Sequence, residues 1–103
     1  MGRLSDAMEL GELVLAKARE TRRYAHEATA LALIASIHRL RGNAGEAMSA
    51  AEMAANIARQ RGLPRILAAA QALMADLHRA AGNIERPRNM QGLRLPRLKR
   101  AAI

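Results

Sequence analysis

Residues 24–61 read YAHEATALALIASIHRLRGNAGEAMSAAEMAANIARQR, and they contain the clearest signals for the fold of this chain. Its first half carries apolar or small residues at helical spacing up to Leu40, and its second half resumes that spacing at Ala47. Between the halves, Gly42-Asn43 is a typical helix stop, because both residue types tolerate a left-handed backbone. The stretch therefore predicts two helices joined by a tight turn.

The same pattern recurs along the chain with a period of 40 residues. Residues 2–43 laid on residues 42–83 give 15 identities in 42 positions, where chance would supply roughly 5. Residues 84–103 share no identity with their counterparts 44–63, so the repeat ends at Asn83. The register predicts a repeat domain over residues 1–83, with helices at about 4–20, 24–41, 44–61 and 64–81.

The composition favours an all-α fold and excludes several classes of site. Half of the chain is apolar, mostly Ala and Leu, and Tyr24 is the one aromatic residue, so an all-β fold is excluded. The absence of Cys removes disulfides and thiolate sites, and is typical of a reducing compartment. The longest uncharged run, residues 28–37, is too short to span a bilayer. Acidic residues within residues 1–15 argue against a signal peptide, so we expect a cytoplasmic protein.

Small residues stand where the helices of one repeat must cross. Ala35 and Ala75 lie at the middle of their helices, and Ala47 and Ala54 lie on the facing helix. Alanine at a crossing lets two helix axes approach closely. We interpret the accompanying stripe of larger residues as core: Leu31, Leu33, Ile34, Met48, Met53 and Leu73.

These residues resemble the tetratricopeptide (TPR) repeat family over residues 2–83. The family's first helix, called the A helix below, carries a bulky residue, a small residue, an aromatic-type position and a Gly-Asn or Gly-Asp turn. Here that pattern reads Ile34-Ala35, His38 and Gly42-Asn43, and again Met74-Ala75, His78 and Gly82-Asn83. The second or B helix opens with an acidic residue and Ala, as in Glu46-Ala47 with Ala54, and in Asp6-Ala7. The period of 40 looks like the long-helix variety of bacterial signalling and regulator arrays.

The resemblance implies a fold and a function. The fold would be antiparallel helix pairs stacked as a short right-handed α-solenoid, and the function would be a scaffold that binds a protein or peptide on its concave face. The chain would act alone or as a fragment of a larger signalling or transcription-regulator protein. The inward-facing positions of the A helices would be Thr29, Ala32, Ser36, Arg39, Ala69, Ala72, Asp76 and Arg79.

Two arginines of that set recur one repeat apart. Arg39 and Arg79 could contact an acidic peptide or its terminal carboxylate through charge-assisted hydrogen bonds. The alternative is a solvated arginine near a helix C-terminus, where the helix dipole favours a cation. The sequence leaves both interpretations open.

A search for catalytic, metal or cofactor chemistry finds no candidate residues. His38 and His78 occupy equivalent places on successive A helices, and His26 falls on another face, so packed or half-exposed imidazoles are expected rather than metal ligands. The three serines stand in no nucleophile elbow, and no phosphate-binding loop is present. We therefore expect a protein that is not an enzyme.

The last fifth of the chain differs from the rest. Residues 84–103 carry six Lys and Arg against Glu85 alone, out of a net charge of +8 for the whole chain. They are predicted to be an irregular tail, interpreted either as the truncated end of the repeat or as a basic arm for nucleic acid or an acidic membrane. The second interpretation gives the alternative function, a small basic nucleic-acid-binding protein.

The final predicted helix lacks a B helix to cover it. Its apolar stripe consists of Ile66, Ala70, Leu73 and Leu77. A solenoid unit buries its apolar face only against its neighbours. The sequence leaves two outcomes open: Leu93, Leu95 and Leu98 fold back as an irregular lid, or two chains cover each other's ends. The second outcome, self-association through helix 64–81, is favoured because about 80 ordered residues with an Ala-rich core are marginal alone.

Overall fold

A computed structural model of the protein describes residues 2–85, and over this range the chain is all-α, as predicted. The helices are α1 (Gly2–Glu20), α2 (Tyr24–Leu40), α3 (Ala44–Arg61) and α4 (Pro64–Glu85). In this part of the chain, none of the helices is long and apolar enough to cross a membrane. In the notation of the repeat, α1 and α3 are B helices, and α2 and α4 are A helices.

The three turns between the helices share one backbone design. Each contains a residue with positive φ, and these residues are 20 positions apart: Arg22 (φ 57°), Gly42 (φ 82°) and Gly62 (φ 66°). The residue after each one donates its backbone N–H to the carbonyl oxygen five residues earlier: Arg23 to Ala18, Asn43 to His38 and Leu63 to Ala58, each at 2.8 Å. Such short turns reverse the chain, so successive helices are antiparallel.

The end of α4 differs from the prediction. Gly82-Asn83 was expected to stop the helix after Ala81, as Gly42-Asn43 stops α2, but α4 continues to Glu85. Glycine disfavours a helix interior by only about 1 kcal/mol and does not forbid it. Gly42 adopts its left-handed backbone where the chain reverses to pack α3 on α2, whereas Gly82 lies inside the continuing helix α4.

The core is built largely from alanine. α2 is the central helix, since it packs against α1, α3 and α4, while α3 also packs against α4. The alanines with no exposed surface are Ala28, Ala35, Ala47, Ala51, Ala54 and Ala70. The predicted burial of Ala35, Ala47 and Ala54 at a helix crossing is confirmed. The same prediction for Ala75 is wrong, because Ala75 is exposed and no described helix lies on that side of α4.

The apolar stripe of α4 is covered, which corrects the expectation of an open face. Ala70, Leu73 and Leu77 are buried and Ile66 is half-buried. The reason is that α3 and α2 both pack against α4 and take up this stripe. Self-association through Ile66, Ala70, Leu73 and Leu77 therefore has no exposed surface to use.

Polar contacts join the ends of neighbouring helices. Arg19 of α1 forms an ion pair with Glu27 of α2 at 3.2 Å, and only 15% of the Glu27 side chain is exposed. The guanidinium of Arg61, at the end of α3, lies 3.6 Å from the ring centroid of Tyr24, the first residue of α2. The two contacts link α1 to α2 and α3 to α2 at the ends of the helices.

Candidate functional site

The predicted binding residues of α2 lie at the surface. Thr29 and Arg39 are exposed, while Ala32 and Ser36 are half-buried. They occupy the side of α2 away from its buried residues, which include Leu31 and Ile34 among others. Thr29 and Arg39 are available to a ligand, while Ala32 also packs against the core cluster around Leu31.

The predicted residues of α4 form a second exposed row. Ala69, Ala72, Asp76 and Arg79 are all exposed. Because α2 and α4 are in direct contact, the two rows lie on neighbouring helices. We call the eight residues together the α2/α4 face: Thr29, Ala32, Ser36, Arg39, Ala69, Ala72, Asp76 and Arg79.

The two arginines of the α2/α4 face have different surroundings. Arg79 forms an ion pair and hydrogen bond with Asp76, one helical turn earlier on α4. The position that corresponds to Asp76 on α2 is Ser36, which brings no charge. Among the side chains of residues 2–82, no carboxylate lies at ion-pair distance from Arg39. Arg39 is thus the stronger candidate for an anion contact, although its place in the last turn of α2 also suits the helix dipole.

The histidines do not converge. His38 is half-buried, with its Nδ1 atom 3.5 Å from the side-chain amide nitrogen of Asn43 across the α2–α3 turn, whereas His26 and His78 are exposed. Nowhere in the described range do three His, Asp or Glu side chains come close enough to hold one metal ion.

Sequence reasoning missed an apolar surface on α1. Leu10, Leu13 and Val14 are 59%, 68% and 41% exposed, respectively. A shallow hollow of about 350 Å³ continues this surface towards the α1–α2 turn, and its lining residues are Val14, Lys17, Ala18, Thr21, Arg23 and His26. A signal was present in the repeat, because Leu10 and Val14 align with Ala50 and Ala54 and are larger than both. The hydrophobic pattern alone does not determine which face of α1 packs against a neighbouring helix.

The chain matches no protein-family model, no curated protein and no solved structure.

Proposed function

We propose that this chain is a protein-interaction module of the tetratricopeptide type, which binds an acidic peptide or an acidic segment of a partner protein on the α2/α4 face. The observation that carries the proposal is the state of Arg39, an exposed cation with no carboxylate beside it in the described residues. Its repeat counterpart Arg79 stands on the neighbouring A helix. A peptide laid across both helices would meet two guanidinium groups, each able to bind a carboxylate through two hydrogen bonds.

The rest of the α2/α4 face suits an extended peptide. Ala32, Ala69 and Ala72 leave room for the peptide backbone, and Thr29 and Ser36 supply hydroxyl groups that both donate and accept hydrogen bonds. The face holds no large apolar side chain, so affinity would come from charge and hydrogen bonding.

The cellular role we propose is that of a scaffold without catalytic activity in the cytoplasm, working alone or as part of a larger signalling or transcription-regulator protein. The supporting observations are the absence of Cys from the chain and the resemblance of its repeat to tetratricopeptide arrays. No cofactor is part of this proposal.

Charge reversal on the α2/α4 face tests the peptide-binding function. We expect Arg39→Glu with Arg79→Glu to weaken binding of a fluorescent Glu-rich peptide at least about tenfold, because hydrogen bonds to charged groups contribute about 1.5–3 kcal/mol each. The measurement is fluorescence anisotropy at constant ionic strength. The matched control is Arg59→Glu, which changes an exposed arginine of α3 outside the face.

The ion pair between Asp76 and Arg79 on α4 provides a second variant for the peptide-binding test. Asp76→Asn removes the carboxylate that holds Arg79, so this variant should bind the same peptide more tightly than the wild type. Equal affinities of the wild type, Asp76→Asn and the double Glu variant would show that the α2/α4 face does not bind acidic peptides.

The charge of residues 84–103 favours a second candidate function, nucleic-acid binding through six Lys and Arg. Such binding follows counterion release, so the logarithm of the association constant should fall by several units per decade of salt. A salt series with duplex DNA and single-stranded RNA measures this slope. Strong, salt-dependent binding that survives the double Glu variant would favour the tail over the α2/α4 face.

A further inference from the structure

The two B helices differ in the burial of equivalent positions. On α3, Ala50 and Ala54 are buried, but their counterparts on α1, Leu10 and Val14, are exposed. Other equivalent positions are buried in both helices, as are Gly11 and Ala51, or Ala18 and Ala58. The difference arises because α3 packs against two A helices, α2 and α4, whereas α1 packs against α2 alone. Leu10 and Val14 therefore mark the side of α1 on which an A helix would lie.

The two A helices, α2 and α4, also differ in the burial of equivalent positions, but here the later helix is the more exposed one. Ala28, Leu31 and Ala35 of α2 are buried, and their counterparts on α4, which are Ala68, Gln71 and Ala75, are exposed. Ala30 and Ala70, by contrast, are buried in both helices. Within residues 2–85, α2 has a B helix on each side and α4 has only α3. The exposed row on α4 is thus the side on which a B helix would lie.

A third position completes the pattern. Leu73 of α4 is 9% exposed because α4 packs against the A helix before it, α2. Its counterpart Leu33 on α2 is 43% exposed, since no A helix precedes α2 in the described chain. Leu33 lies beside Gly11 of α1, so it extends the same exposed surface. We call Leu10, Val14 and Leu33 the head surface, and Ala68, Gln71 and Ala75 the tail surface.

The α2–α3 interface shows which side chains of the head and tail surfaces would contact each other. There Ala35 lies in one core cluster with Ala47 and Ala50, and Leu31 lies in another with Ala54. By repeat register, the same geometry would set Ala75 against Ala7 and Leu10, and Gln71 against Val14. The exposed alanines of the tail surface leave space for the larger side chains of the head surface, which permits close packing of the two helices.

A pair of opposite charges at one end of the two helices agrees with this pairing. The contact of Arg61 with Tyr24 shows that the C-terminal end of α3 meets the N-terminal end of α2. In the same arrangement Glu20 of α1 would approach Arg65 of α4. Both residues are exposed, and the one ion pair that Glu20 forms in the described residues is a surface contact with Lys17 at 3.8 Å.

We propose that the head surface of one copy of this chain binds the tail surface of a second copy, so that α4 of one copy and α1 of the next form an A–B pair like α2 and α3. The contact is heterologous: it leaves one head and one tail surface free, and further copies add in line. A second copy of the chain would thus cover Leu10 and Val14, whereas Leu13 would stay exposed like its counterpart Met53 on α3. This inference does not depend on the proposed peptide binding.

The experiment mixes two full-length variants, each blocked at one surface. Leu10→Glu with Val14→Glu blocks the head, and Ala68→Glu with Ala75→Glu blocks the tail; all four positions are exposed, so both variants should fold. Sedimentation velocity across a dilution series should show a mass that rises with concentration for the wild type and a monomer for each variant alone. An equimolar mixture of the two variants should form dimers and nothing larger. The intact tail surface of the head-blocked variant binds the intact head surface of the tail-blocked variant, and both remaining surfaces are blocked. Leu40→Glu is the control, since Leu40 and its counterpart Ala80 are exposed on both A helices.

Three results would overturn the proposal: a wild type that stays monomeric at all concentrations, a tail-blocked variant that still associates, or a mixture that stays monomeric.

Cross-linking provides a second test that does not require charged substitutions. The chain contains no Cys, so Leu10→Cys and Ala75→Cys chains can form disulfides only between copies. Oxidation of their mixture should give mainly the mixed disulfide. Equal or faster formation of Leu10→Cys pairs would place α1 against α1 and contradict the head-to-tail contact.

Discussion

At the scale of single residues, three left-handed positions determine where the chain reverses. Gly42 and Gly62 adopt positive φ without steric cost, but Arg22 must hold a side chain in the same conformation. The side chain of Arg22 is exposed, and a Cβ atom added at Gly42 or Gly62 would touch nothing within 4 Å. The three positions therefore differ chiefly in backbone strain.

This difference predicts opposite effects of two substitutions. Arg22→Gly should raise the free energy of unfolding by about 1 kcal/mol, because it removes the strain of a non-glycine residue in the left-handed region. Gly42→Ala should lower the free energy of unfolding by a similar amount for the same reason. Thermal melts followed by circular dichroism measure both, and shifts of several degrees in opposite directions are expected. Two melting temperatures that move together would contradict the backbone explanation.

At the scale of helices, stability depends on how closely α2 and α3 approach. Ala35 and Ala47 have no exposed surface, so the axes of the two helices are separated by little more than backbone and methyl groups. A larger side chain at this crossing would force the helices apart. The equivalent position on α4, Ala75, has no such neighbour among residues 2–85.

Substitution by leucine should affect stability differently at the buried position 35 and at the exposed position 75. Ala35→Leu should lower the free energy of unfolding by about 1–3 kcal/mol, since it overpacks the crossing. Ala75→Leu should change it by less than about 0.5 kcal/mol, as is usual for an exposed residue. Urea denaturation at low protein concentration measures both, with the exposed Ala44→Leu as a further control. A loss of stability in Ala75→Leu as large as that in Ala35→Leu would mean that α4 has a partner on that side within the monomer.

The sequence predicts the helices well where local signals determine them. Gly62 followed by Pro64 predicts the end of α3 and the start of α4, because left-handed glycine and N-terminal proline act locally. Gly82 was misinterpreted because glycine permits a helix to end but does not require it, and α4 continues through it to Glu85. The stripe around Leu73 was expected to be open, although α2 and α3 both reach it. The second error depends on which helices meet, and periodicity does not contain that information.

At the scale of the whole molecule, two surfaces have separate proposed roles. The α2/α4 face combines exposed arginines with small residues, while the head surface is apolar. The family resemblance implied which A-helix positions would be open to a ligand, and Thr29, Arg39, Asp76 and Arg79 are exposed. It did not reveal that Asp76 neutralises Arg79, because pairing within a helix depends on side-chain conformation. Nor did it identify Leu10 and Val14, because their exposure depends on the neighbours of α1.

Nuclear magnetic resonance titration of the full-length chain with a Glu-rich peptide tests the proposed function most directly, since it locates the contact residue by residue. We expect chemical-shift changes concentrated on the α2/α4 face, with the largest at Arg39, and their loss in the Arg39→Glu, Arg79→Glu variant. Shift changes confined to residues 86–103, which lie outside the described range, or to the head surface, would contradict it.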